Sequence, residues 1–340
     1  MTDLKFAVMG AGFWSRYQIP AWFEVGGVEL VAVYNRTVSK AETTAERFDV
    51  PKFYGDAEEL FRNEDLDFVD IITEVGGHAP LVKLAAKYRV PVICQKPMAG
   101  DLETAQAMVD VCEAAGIPFF IHENFRYQTP IRRFKELLSE GTIGDPFRAR
   151  IQFIHGFPVF ENQPFLRTLE KFILTDLGTH ILDIARFLFG EPHSLYCQHL
   201  RSRDDIAGED VASVLLRFED VICYCEMSQS SKTEWGRFPE TFIYVEGTQG
   251  TLELGPDFWI RSTTGDGTLS RRYPPPRYDW ADPDYDVAHA SMVPIQEAFV
   301  EALRSGVPPE TTGKDNLKTL RLVFQSYESA EQNAVIDLTQ

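Results

Sequence analysis

Along the first third of the chain, short apolar runs alternate with longer segments of mixed polarity. "KFAVMG" and "ELVAVYN" are apolar without polar alternation, the pattern of strands covered on both faces. The segment between them opens with "GAGFWSRYQIPAWFEVGG". "SKAETTAERF" then predicts a helix with Ser39 at its N-cap, and "DAEELFRNEDL" another with Asp56 in that role. The strand "DFVDIIT", the helix "APLVKLAAKY", the strand "PVICQ", a helix "LETAQAMVDVCEAAG" ending at Gly116, and the strand "PFFIHEN" complete the series. Strands that alternate regularly with helices predict an α/β doubly wound parallel sheet over residues 1–124.

Beyond Asn124 the pattern changes. "PIRRFKELLSEG" reads as a helix capped by Thr129, with Pro130 at its first position and Gly141 beyond its end. "DLGTHILDIARFLFG" reads as another. The runs "FRARIQFIHGF", "ASVLLRFE", "VICYCEMSQS" and "TFIYVEGTQGTLEL" follow without intervening helices, which predicts a mainly antiparallel sheet in a second α/β domain spanning 125–340. "YPPPRYDWADPDYD" is too proline-rich for regular structure, and "SMVPIQEAFVEALRSG" and "DNLKTLRLVFQSYESAEQ" are helical.

A chain of 340 residues suits two hydrophobic cores. No apolar run approaches the ~20 residues of a membrane helix, and the start "MTDLKFAVMG" lacks the features of a secretory leader, so a cytoplasmic location is expected. The net charge of -18 disfavours nucleic acid and anionic membranes as partners. Five cysteines without a CxxC pair imply no disulfide framework; Cys223 and Cys225 alternate in "VICYCEM" as core thiols, and no metal is expected.

The chemistry starts at "GAGFWS". Gly10 permits the tight turn after the first strand, Gly12 lets backbone N–H groups approach a pyrophosphate, and Ser15 is small enough for the third position. The following helix N-terminus favours an anion. At the end of the second strand, Asn35 stands where a carboxylate would bind the ribose of NAD, with Arg36 next to it. Two readings stay open: Arg36 admits the 2′-phosphate of NADP, or Asn35 bonds the ribose while Arg36 lies on the adenine.

Ligands of open parallel sheets bind beyond the strands' carboxyl ends. "VICQKP" brings Lys96 there, "IITEVGGH" brings Thr73 and His78, and "FFIHENFRY" brings His122, Glu123, Asn124, Arg126 and Tyr127. Farther on, Asp176, His180 and Asp183 share one face of a predicted helix at i, i+4 and i+7. His180 reads either as a structural histidine or as the base that takes a hydroxyl proton during hydride transfer, with a carboxylate one turn away to orient it. Lys96 then favours the alkoxide.

In their order, "GAGFWS", "CQKP", "HENFRY", the D-x-x-x-H of "DLGTH", "VEGTQGTLEL" and "SYESAEQ" resemble the Gfo/Idh/MocA oxidoreductases over nearly the whole chain. The resemblance implies an N-terminal Rossmann domain and a C-terminal α/β domain with a large open sheet. It also implies a homo-oligomer, dimer or tetramer, joined through that sheet, and oxidation of sugars or polyols with NAD or NADP. The family's lysine maps to Lys96, its often cis proline to Pro97, and its D-x-x-x-H pair to Asp176 and His180. Gln95 departs from the usual E-K-P, and "TEVGGH" retains only Thr73 and His78 of the T-P-N-x-x-H segment, which leaves contacts at Glu74 and Val75 open.

Expected cofactor contacts are Gly10, Gly12, Phe13, Trp14, Asn35, Arg36, Thr73, His78, Gln95, Lys96 and Asn124. Expected substrate contacts are Lys96, Asn124, Asp176 and His180, with His155 and Arg167 added. "GFWSRYQIPAW", "CQKP", "NQPFL" and "FILTDLGTHILDIARFLFGE" are most similar to a branch of the family that converts the anomeric carbon of a free sugar such as D-apiose to a lactone. Reduction of a sugar-derived carbonyl, or a nucleotide-binding regulator without catalysis, are the alternatives.

Overall fold

The computed structural model describes residues 2–232 and 240–339. Its first strands are β1 (Leu4–Met9), β2 (Val28–Tyr34), β3 (Lys52–Tyr54), β4 (Phe68–Ile71), β5 (Val92–Gln95) and β6 (Phe119–His122). They alternate with α1 (Ser15–Val25), α2 (Val38–Arg47), α3 (Ala57–Asn63), α4 (His78–Tyr88) and α5 (Leu102–Ala115). All strand pairs are parallel, in the order β3-β2-β1-β4-β5-β6. The winding therefore reverses at β1, and the crevice beyond β1 and β4 is where such a sheet takes a ligand. The core is aromatic beneath this point: Phe6 stacks on Phe68 with centroids 4.9 Å apart, and Trp22 tilts against both.

The next elements are α6 (Thr129–Ser139), β7 (Pro146–Ile154), α7 (Val159–Asn162), α8 (Thr179–Phe189), β8 (Ser194–Leu200), β9 (Val211–Arg217) and β10 (Ile222–Ser228). β11 (Phe242–Gly247), β12 (Gly250–Gly255), β13 (Trp259–Thr264), β14 (Gly267–Arg272) and α9 (Asp286–Ala290) follow. The chain closes with α10 (Met292–Ser305), α11 (Gly313–Gln332) and β15 (Ile336–Asp337). A nine-stranded sheet runs β14-β13-β12-β11-β7-β10-β9-β8-β15, antiparallel except where β7 lies parallel to β10. Across that central pair, Ala149, Ile151 and Phe153 face the same side as Cys223, Cys225 and Met227, and all six are buried. The alternate positions Arg148, Arg150, Tyr224, Tyr244 and Arg261 form an exposed face.

Three expectations change. The chain divides into two compact units, but residues 125–340 are not one of them: Met292–Leu320 joins the first 123 residues. Phe299 of α10 stacks on Phe120 of β6 at 5.5 Å and is fully buried, and Gln296 donates to the Gln18 carbonyl, so this helix completes the first core. Ser39 lies inside α2, whose N-cap position is Thr37, and Thr129 is already helical after the extended Gln128. By contrast Asp56 accepts from Glu59 N, and Gly116 closes α5 with φ 68°.

Candidate active site

In the first unit, the turn after β1 is built around Gly10, whose φ is 127°. A Cβ there would lie 2.5 Å from the Ile72 carbonyl oxygen, so only glycine lets β1 and β4 end side by side. Gly12 is exposed and a Cβ on it would meet nothing within 4 Å, which leaves the outer side of the turn open for a phosphate group. Ser15, almost fully buried, donates to the Gly12 carbonyl at 2.8 Å and ties the turn to α1. Phe13 and Trp14 lie edge to face at 5.2 Å beside it. Asn35 accepts from Ala11 N at 3.2 Å and donates to the Thr37 carbonyl at 3.0 Å, so its side chain braces the turn; Arg36 is exposed.

Behind the turn lies a polar network whose central members the sequence did not announce. Asp70 is fully buried in β4, and its carboxylate accepts two bonds from Gln18 Nε2, at 2.9 and 2.8 Å, and one from Trp22 Nε1 at 2.7 Å. Gln18 Oε1 accepts from Gln95 Nε2 at 2.8 Å, and Gln95 Oε1 accepts from the backbone N–H of Lys96 at 2.8 Å. Burial pushes the Asp70 carboxyl up to about 7 despite these donors. The acid inside the apolar run "FVDIIT" was the available signal.

Gln95 is thus a member of this network, while the half-buried Lys96 leads into a cis peptide bond with Pro97. His78 also differs from expectation. It is buried, with Nδ1 3.2 Å from the Met98 carbonyl and Nε2 3.1 Å from that of Thr73, and as a neutral ring it donates to one of the two. Burial lowers its pKa. His122, fully buried at the end of β6, is pushed down to about 4 by the same cause.

In the second unit, the predicted single helix bearing Asp176, His180 and Asp183 starts as a π-helical turn, Leu174–Gly178, and only then becomes α8. Glu209 anchors this start: its carboxylate accepts from Phe172 N and Leu174 N at 3.2 Å and from the Tyr327 hydroxyl at 2.5 Å. The wider turn changes the spacing of Asp176 from His180, while His180 and Asp183 both lie in regular α8, three residues apart. Asp183 is fully buried and paired with Arg126, whose Nε and a terminal nitrogen lie 2.7 and 2.5 Å away. It supports the fold. The His180 ring lies flat on Phe125, centroids 3.6 Å apart, and is 4% exposed, whereas Asp176 is half-buried.

Asn124 and Arg167, two expected ligand contacts, have partners within the chain. Asn124 Nδ2 donates to the Ala288 carbonyl at 3.0 Å and to Ser291 Oγ at 2.8 Å, tying the start of the unit to the end of α9. Arg167 pairs with Asp205 at the surface and covers the Phe160 ring at 4.6 Å. His155 is different. It is buried just beyond β7, accepts from Phe157 N at Nδ1, and is close enough to Asp176 for that carboxylate to favour its protonation. Burial dominates and brings its pKa down to about 4. Among the described residues no group of three or more His, Cys, Asp or Glu side chains is placed to hold a metal ion.

Two family models match the chain. The model of an oxidoreductase family with an NAD-binding Rossmann fold matches residues 4–122, and that of the GFO/IDH/MocA C-terminal domain matches residues 131–253. The chain is 42% identical to a D-apiose dehydrogenase of Paraburkholderia graminis, over 98% of this chain and 89% of that protein. It is 41% identical to a D-apiose dehydrogenase of Rhizobium rhizogenes, over 99% and 98%. A crystal structure of an oxidoreductase from Agrobacterium radiobacter in complex with NAD+, L-tartaric acid and magnesium superposes with a TM-score of 0.96 at 41% identity, covering 99% and 98% of the two chains.

Proposed function

Because the chain belongs to the Gfo/Idh/MocA family of oxidoreductases, we propose that it is a sugar dehydrogenase acting on the anomeric carbon of D-apiose or a similar free aldose, with a lactone as product. The observation that carries this reading is full-length similarity to two D-apiose dehydrogenases in a chain that keeps Lys96, Asp176 and His180.

The turn Gly10–Ser15 and the N-terminus of α1 would hold the dinucleotide phosphates, which fits the open outer side of Gly12. With Asn35 in place of a carboxylate, both NAD and NADP are admissible. When bound, the nicotinamide supplies the hydride acceptor. His180 takes the proton of the sugar hydroxyl, and the Asp176 carboxylate stabilises the positive charge that develops. The ammonium of Lys96 donates to the oxygen as its negative charge grows. The Gln95 bond to the backbone of Lys96 holds the root of that side chain.

The exposed sheet face joins two copies in this proposal. Ile222, Tyr224 and Tyr244 stand out from it as large exposed side chains, next to the ion pairs Arg148–Glu246 and Arg150–Glu226. Apolar and aromatic groups with interleaved charges of both signs suit a self-complementary contact. A cytoplasmic location accords with five free, buried thiols.

The test is a screen of D-apiose, other pentoses and hexoses with NAD and NADP in parallel, read as nicotinamide absorbance with the product identified. D-apiose is expected to be turned over to its lactone. Cofactor binding without turnover of any sugar would leave a nucleotide-binding regulator in its place.

A further inference from the structure

Beyond the strand ends of the second unit lie two buried side chains with polar atoms that no described residue satisfies. Gln229 is 2% exposed, and neither its Nε2 nor its Oε1 has a hydrogen-bond partner among the described residues. His155, 3% exposed, has no partner at Nε2. Buried polar atoms without partners are rare and costly, so a pair of such groups calls for a ligand.

The two belong to one place. β7 and β10 run parallel with Ile154 opposite Ser228, and backbone bonds continue past their ends with one extra residue on the β10 side. His155 N donates to the Ser228 carbonyl, and Ser231 N donates to the His155 carbonyl, which sets Gln229 beside His155. The His155 ring packs edge to face on Phe153 with centroids 5.2 Å apart, and Gln229 follows the buried Met227 by two residues. Met227 in turn lies against Gly178 of the π turn, its sulfur 3.7 Å from where a Cβ would stand, and that turn carries Asp176. The backbone of Gln229 is pinned by a 2.9 Å bond from its N–H to the Asp210 carbonyl. The Asp210 carboxylate is itself held by Ser202 and Ser230.

The hydrogen-bonding sense of His155 is also set. Its Nδ1 accepts from Phe157 N, so the neutral ring carries its proton on Nε2 and presents a donor. Gln229 presents a donor and an acceptor on one rigid amide.

We propose that Gln229 and His155 are specificity-determining residues that read substrate hydroxyl groups away from the reacting carbon, Gln229 as donor and acceptor and His155 as donor. This rests on the sugar dehydrogenase reading and narrows it to a polyhydroxylated substrate that fills both partners. A site with buried groups shaped to a hydroxyl rejects an analogue that lacks it.

The test uses wild type, Gln229→Met and His155→Phe with D-apiose, D-xylose, D-ribose and 2-deoxy-D-ribose, and with monodeoxy forms of whichever sugar wild type prefers. Each variant is expected to lose about ten- to a hundredfold in kcat/KM on the preferred sugar, chiefly through KM. Each should also lose the wild-type discrimination against one particular monodeoxy form. The ligand-free Tm of Gln229→Met is expected to equal or exceed that of wild type, because an unsatisfied buried group has been removed. His155→Phe also strands the Phe157 N–H and is read on sugar preference alone. Active wild type with unchanged sugar preference in both variants overturns the inference alone. So does a ligand-free Tm of Gln229→Met far below wild type, which would assign that side chain to the fold. Wild type that oxidises no sugar overturns the dehydrogenase reading, and the inference falls with it.

Discussion

Gln95 and Gln18 meet amide to amide, Gln95 Nε2 donating to Gln18 Oε1 at 2.8 Å. The direction is imposed from below. Asp70 can only accept while ionised, so Gln18 turns its NH2 toward Asp70 and its oxygen toward Gln95, and Gln95 keeps its own oxygen for the Lys96 N–H. Gln95→Glu would set an acceptor against an acceptor. We expect it to lower stability by about 1–3 kcal/mol at pH 8. The deficit should shrink toward pH 5, where a protonated glutamic acid can donate. Urea denaturation at both pH values checks this; an equal deficit at the two would contradict it.

Asp70 itself gives a pH signature. Its carboxyl is pushed up to about 7 from the ordinary 3.8. Between those values the folded chain holds a proton that the unfolded chain has lost. This group's contribution to stability therefore falls as pH rises through that window, at ~1.4 kcal/mol per pH unit at most, and levels off above it. Asp70→Asn should flatten the difference. Tm measured from pH 4.5 to 8 for both proteins is the comparison, and parallel curves would refute the assignment.

Arg126 and Asp183 form a buried, two-bond ion pair. Arg186 lies 3.8 Å from the same carboxylate and compensates it in part, so Arg126→Met should cost less than Asp183→Asn, about 3–5 kcal/mol for the latter, and Arg126→Met with Asp183→Leu should cost less than the sum. Chemical denaturation of the singles and the double decides.

Lys96→Met and His180→Asn are expected to lower kcat by about 10²–10⁴-fold, with cofactor affinity nearly unchanged. Fluorescence titration of NAD and NADP separates the two effects. Full activity of His180→Asn at neutral pH would assign the base elsewhere.

Tyr224→Glu with Tyr244→Glu places like charges on the exposed sheet face. The expected outcome is a smaller species by light scattering with the monomer fold retained by circular dichroism. An unchanged mass would move the interface off this face.

The alternation of buried runs and capped helices in the first 123 residues was legible directly, because backbone periodicity and glycine requirements act over a few residues. Gly10, Asp56 and Gly116 do what their local sequence demands. The strand-rich second unit was legible for the same reason, since Cys223, Cys225 and Met227 alternate inward along one strand. Side-chain partnerships were not. Asp70 meets Gln18 across 52 positions, Gln95 meets Gln18 across 77, and Asn124 meets Ser291 across 167, distances at which no periodic pattern survives. The π turn before α8 likewise escaped a reading that assumed 3.6 residues per turn, because the anchoring Glu209 arrives from a remote loop. Local sequence thus determined the strands, the turns and the types of group available, while tertiary packing decided which polar groups satisfy one another and which stay open to a ligand. Hydrogen bonding is short-ranged in space and indifferent to separation along the chain.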